Sequence, residues 1–140
     1  MRLPSLLWSV PVCLATVAPG WAQPPAPLRA GAARVDITPR RWPVSMIGSF
    51  NDRQATSAHD PLFVRALVLD DWRTRIALVA CDNAAIPREL FDEAKEKASR
   101  RTGIPTERML MAATHTHTAP PLVVLNAIPR DPEYVKQAVE

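Results

Sequence analysis

The stretch Met109-Leu-Met-Ala-Ala-Thr114-His115-Thr116-His117-Thr118-Ala119-Pro120 holds two of the three histidines in the chain. An apolar run ends abruptly in imidazoles spaced i, i+2. On an extended backbone that spacing turns both rings to one side, with their Cα atoms roughly 7 Å apart. Two imidazoles projecting into a shared pocket at a strand end can meet one divalent cation, or one can bind it while the other moves a proton beside it. The spacing equally admits two ordinary histidines bonded to loop carbonyls. Asp82 is the nearest candidate carboxylate. It reads as a ligand or as an outer partner, because ligating imidazoles commonly donate their second N–H to a carboxylate. It also reads as the cap of the turn Asn83–Pro87. His59 sits in a polar loop as a surface residue, and Arg65 reads as an edge or snorkelling side chain. Cys81 ends an apolar run and reads as a small buried side chain rather than a ligand or nucleophile. His115, His117 and Asp82 would formally supply the three protein ligands of a zinc hydrolase, but no general base is evident unless it is His59. The chain has no nucleophile elbow, phosphate loop, paired-cysteine or His-Glu-x-x-His motif.

The elements that must carry these residues follow from periodicity. Ala33–Thr38 alternates at the strand period and stops at Pro39. A loop runs from Arg40 to Asp60, a length that is often functional in a compact domain. Leu62–Leu69 and Arg75–Cys81 are strands joined by a short turn, hence an antiparallel hairpin. Pro87–Thr102 is the clearest helix, with Pro87 in its first turn, acidic residues near its start and Gly103 as terminator. Met109–Ala113 is the next apolar strand. Strand, helix, strand over this length predicts a right-handed crossover and parallel pairing of 75–81 with 109–114. The fold class is therefore α/β, with a mixed β-sheet that combines a hairpin and a crossover. Asp82 and His115 then follow the carboxyl ends of neighbouring parallel strands, the edge at which open α/β sheets place their sites. Asp131 and Pro132 begin a last helix that Glu140 cuts short, so the domain reads as incomplete.

Composition bounds the rest. One domain fits in 140 residues, and 47% hydrophobic against 22% charged residues is a globular balance. Residues 1–22 read as a secretory signal: a basic start at Arg2, an apolar stretch, and small residues at Gly20 and Ala22 ahead of a cut after Ala22. Pro4, Pro11 and Pro19 interrupt the stretch and argue against a stable membrane anchor. Val12 is a poor fit for lipidation at Cys13. Residues 23–30 read as a linker and 31–140 as the folded part. Loss of residues 1–22 leaves 16 basic against 14 acidic side chains, a balance of +2 that suggests no nucleic-acid partner. Cys81 is then the only cysteine and cannot form an internal disulfide.

Several segments together resemble the opening of neutral/alkaline ceramidases. They are Gly31-Ala-Ala-Arg-Val-Asp36-Ile-Thr-Pro39, Met46-Ile-Gly48, His59 ahead of Arg65-Ala66, Ala80-Cys-Asp82, and above all Met111-Ala-Ala-Thr-His115-Thr-His117-Thr-Ala-Pro120. The resemblance runs from Gly31 to the end of the chain. It implies the N-terminal part of a secreted or periplasmic zinc-dependent amidase that hydrolyses the N-acyl bond of ceramide to sphingosine and a fatty acid, a step of sphingolipid metabolism. It places a zinc ligand at His115 and an active-site role close to the substrate or the zinc-bound water at His117, with Asp82 as a possible outer partner. The partner it implies is a lipid amide. The family usually has Ser-Gly where this chain has Thr118-Ala119, and often tyrosine where it has Ser49. The family's remaining zinc ligands, a histidine, a glutamate and a tyrosine, and its catalytic serine have no counterpart in these 140 residues. The chain alone is expected to be inactive, with a non-catalytic secreted module that binds metal weakly as the alternative.

Overall fold

The computed structural model describes residues 26–140, so the expected signal segment and the first three residues of the linker lie outside the described residues. Its main sheet has four strands: β1 (Arg29–Asp36), β4 (Phe63–Asp70), β5 (Arg75–Cys81) and β6 (Met109–Ala113), in the order β1-β4-β5-β6. Two further short strands, β2 (Val44–Met46) and β3 (Arg53–Ala55), form a separate antiparallel pair. β1 and β5 each run antiparallel to β4, while β5 and β6 are parallel. The parallel pair is joined through α1 (Arg88–Thr102) and a 3-10 turn at Thr106–Arg108. The mixed α/β sheet with hairpin and crossover is thus present as expected.

Alternation along the strands decides which face the helices cover. Ala77 and Cys81 of β5 and Met109 of β6 are buried. Ala77, Ile104 and Met109 form one apolar cluster with Val68, Ala98 and Met111 around it. A second cluster joins Leu90 of α1, Leu122, and Tyr134 of α2 (Pro132–Val139). The helices therefore pack on the face of β5 and β6 that carries the odd-numbered residues. On the opposite face Leu110 stays 65% exposed, and Leu67 and Leu78 are exposed beside it.

Local signals explain the helix boundaries. Pro87 precedes α1 in an extended conformation, and Gly103 ends it at φ +71°, donating its N–H to Ser99 O. Asp131 caps α2, its Oδ1 accepting from the N–H groups of Glu133 and Tyr134 at 3.0 Å each.

Three boundaries differ from the sequence reading. β1 starts at Arg29, inside the expected linker, because pairing with the long β4 continues as far as Arg29 opposite Asp70. Side-chain contacts hold that end: Arg29 bonds the Asp70 carboxylate at 2.6 Å and stacks over Trp72 at 3.7 Å. The segment Arg40–Asp60, expected as a loop, contains the β2–β3 hairpin. Ser45 and Met46 of β2 alternate too briefly to signal a strand by pattern. Finally, β6 ends at Ala113, before the histidines, so they are not on extended strand.

Candidate functional site

The two histidines occupy the loop just past β6, and their convergence has a different cause from strand alternation. His115 lies in the left-handed region at φ +63°, an uncommon conformation for a residue with a β-carbon. Thr114 still donates its N–H to Cys81 O at 2.9 Å, as a continuation of the parallel ladder. The chain then turns sharply at His115, and the turn folds the following residues back. The ring centroids of His115 and His117 come to 4.8 Å with planes at 77°, and their Nε2 atoms to 3.3 Å. Both residues are exposed, so the expected shared pocket is an open surface site.

One hydrogen bond places the proton on Nδ1 of the first ring. His115 Nδ1 lies 2.7 Å from the carbonyl oxygen of Ala84. A carbonyl only accepts, so Nδ1 carries a proton, and in the neutral ring the lone pair of Nε2 is then the one left for a ligand. His117 Nε2–H is then the donor of the bond between the rings. The 3.3 Å separation also matches two nitrogens on one tetrahedral zinc, where bonds of about 2.0–2.1 Å put the donors about 3.3–3.4 Å apart. His115 therefore fits a divalent cation by ligand type and tautomer, and His117 stands close enough to act beside that cation, or to meet it once Nε2 gives up its proton. Among the described residues no group of three or more His, Cys, Asp or Glu side chains gathers where a metal could sit, so this chain offers a two-imidazole corner rather than a full ligand set.

Asp82 holds the loop behind the histidines. Its Oδ2 accepts from Phe63 N–H at 2.9 Å and from Arg65 Nη1 at 2.8 Å, while the acceptor for His115 Nδ1–H is Ala84. Desolvation pushes the Asp82 carboxyl up. The Phe63 N–H, the Arg65 guanidinium and the Thr114 hydroxyl outweigh that and hold it below the ordinary carboxylate range. Arg65 thus serves as the counter-ion of Asp82 on an interior strand, rather than as an edge residue. His59 stands almost fully exposed beside Asp60, at 3.1 Å. It lines a cavity of about 440 Å³ together with Trp42, Met46, Asp82, Thr116 and Thr118. Cys81 is buried, and desolvation, helped by the Asp82 charge, pushes its thiol up to about 11, so it carries no thiolate at neutral pH.

Two contributors were not singled out from sequence. Asn83 is fully buried; its Nδ2 donates to Pro120 O at 2.8 Å and its Oδ1 accepts from Ala85 N–H at 3.3 Å. It ties the loop after β5 to the loop after the histidines, which keeps Ala84 O under His115. Gly48 is the second. It sits at φ +102° with its α-carbon against the His117 ring. With only four glycines in the chain, a glycine closing the Met46-Ile47-Gly48 patch was the available signal.

No family model matches the chain. Solved structures do. The neutral ceramidase from Pseudomonas aeruginosa superposes with a TM-score of 0.71 at 22% identity, over 81% of this chain and 20% of that one. A ceramidase complexed with C2 gives a TM-score of 0.69 at 24% identity, over 81% of this chain and 19% of that one. The fold is that of a segment of neutral ceramidase. The chain spans about a fifth of the length of these ceramidases.

Proposed function

We propose that the chain is the N-terminal part of a zinc-dependent, ceramidase-like amidase acting on the N-acyl bond of a ceramide-type lipid. The observation that carries this reading is the convergence of the His115 and His117 ε-nitrogens at 3.3 Å on a ceramidase-like fold. His115 is the metal ligand: its Nδ1–H is fixed on Ala84 O and its free Nε2 lone pair faces outward. A bound zinc supplies an acidified water and polarises an amide carbonyl. His117 sits within hydrogen-bond reach of whatever binds at His115 Nε2, and with a proton on Nε2 it is placed to hold or pass that proton. Asp82 acts from behind, by fixing Phe63 and Arg65 around the end of β5.

Two imidazoles fall short of the three protein ligands a catalytic zinc site needs, so the 140 residues alone hydrolyse no amide at a measurable rate. Export to the periplasm or medium, with cleavage after Ala22, belongs to the same proposal. A second reading, a non-catalytic secreted module with weak metal affinity, draws on the lack of a third donor among the described residues. Calorimetric zinc titration with a ceramide-hydrolysis assay tests both, applied to this chain and to a longer version that carries downstream sequence. Weak zinc binding that His115→Ala abolishes, with hydrolysis only in the longer version, is the expected result. Absence of hydrolysis in a zinc-loaded longer version contradicts the amidase reading and leaves the module.

A further inference from the structure

We infer that Gly48 is a positioning residue for His117: its missing side chain is the slot in which the imidazole stands. This deepens the proposed function and rests on the reading of the histidine pair as a cation site. A β-carbon at position 48 would lie 2.6 Å from His117 Cβ and 2.7 Å from its Nδ1, and closer still to Cγ. Separations that short are not tolerated, and the φ of +102° is a conformation that L side chains rarely adopt. Either the glycine segment or the ring would have to move.

The segment is held from both sides and cannot recede. Ile47 is fully buried, and its N–H donates to Ala119 O at 3.0 Å, two residues past the ring. On the other side Asn126 Nδ2 donates to Ser49 O at 3.2 Å. Asn126 itself sits in a tight turn, at φ +50° with Ala127 at φ +63°, closed by the Leu125–Ile128 bridge. The loop that carries His117 and the loop that follows it thus both grip residues 47–49. His117 is the part that gives way, and because its Cβ is crowded as well as its ring, the whole residue shifts and takes its Nε2 off His115. Gly48 therefore sets whether the second imidazole faces the cation position, without touching the cation itself.

The test is NMR of histidine-labelled full chain, parent against Gly48→Ala. In the metal-free parent, cross-relaxation is expected between Gly48 Hα and the His117 ring and between the two rings. In Gly48→Ala the ring-to-ring contact is lost while the His115 Nδ1–H signal persists. Added zinc then shifts both rings in the parent but only His115 in the variant, with zinc affinity about tenfold or more weaker. Stability gives a second measurement that works even if Gly48→Ala folds poorly. Because the clash reaches His117 Cβ as well as the ring, Gly48→Ala should lower the melting temperature less in a His117→Gly background than in the parent. Retained ring-to-ring contact in Gly48→Ala, or an equal loss of melting temperature in both backgrounds, overturns the inference. If zinc shifts neither ring of the parent, the cation reading fails, and the metal-free contacts still decide the role of Gly48.

Discussion

At the scale of single residues, the site is a matter of which atoms are already committed. His115 spends Nδ1–H on Ala84 O and keeps Nε2 free. Asp82 spends its carboxylate on Phe63 N–H and Arg65. Replacing Asp82 by Ala strands a partly buried N–H and a guanidinium, and a charge-assisted pairing of this kind is worth on the order of 2 kcal/mol. We expect Asp82→Ala to lower the unfolding free energy by about that amount and Asp82→Asn, which keeps an acceptor, by less. The pH dependence has a definite sign. The folded-state pKa of Asp82 is lowered from its ordinary value of 3.8, so the unfolded state binds the proton more readily. Its stabilising contribution is complete above that ordinary value and is lost as pH falls through the lowered one. Denaturant unfolding at pH 7 and in the acid range checks this: the parent should lose more stability on acidification than Asp82→Asn, and equal losses would refute it.

At the scale of elements, much of the frame was legible and the loops were not. The runs Arg75–Cys81 and Met109–Ala113 and the helix between them announce themselves by length, period and the Pro87 and Gly103 signals, and they fold as expected. The position of Asp82 and His115 after adjacent strand ends follows from that crossover alone. What periodicity cannot convey is the backbone state of a single residue. The i, i+2 spacing suggested extended strand through His117, yet the rings meet because His115 adopts a positive φ. Likewise the β2–β3 pair is too short to announce itself. Its consequence, that Ile47 and Gly48 lie against the histidine loop, depends on contacts between residues some seventy positions apart in sequence. Asn83 was legible as a turn residue but not as a buried tie to Pro120, because a side chain's burial is set by its neighbours in space rather than along the chain.

At the scale of the whole molecule, the sheet has one helix-covered face and one left bare among the described residues. Leu67, Leu78 and Leu110 share the bare face with Ala32, Ala80 and Ala112. A contiguous apolar surface of this sort drives association or dye binding in water. We expect the 140-residue chain to enhance fluorescence of an apolar-surface dye, and Leu110→Lys to reduce that signal while leaving circular dichroism unchanged; an undiminished signal would place the apolar surface elsewhere. Among the described residues no helix is long and apolar enough to cross a membrane. The two-imidazole corner lies in the loop just past β6 of this sheet, and the chain corresponds to about a fifth of the ceramidases it resembles. The central claim is that His115 Nε2 binds a cation with His117 Nε2 standing beside it. Nitrogen-15 spectra of the imidazoles during zinc titration test it most directly. The account predicts that His115 Nε2 moves to a metal-bound shift while Nδ1–H stays bonded, that His117 responds in parallel, and that His59 does not. Zinc that leaves His115 Nε2 unchanged, or that binds through Nδ1 instead, would contradict it.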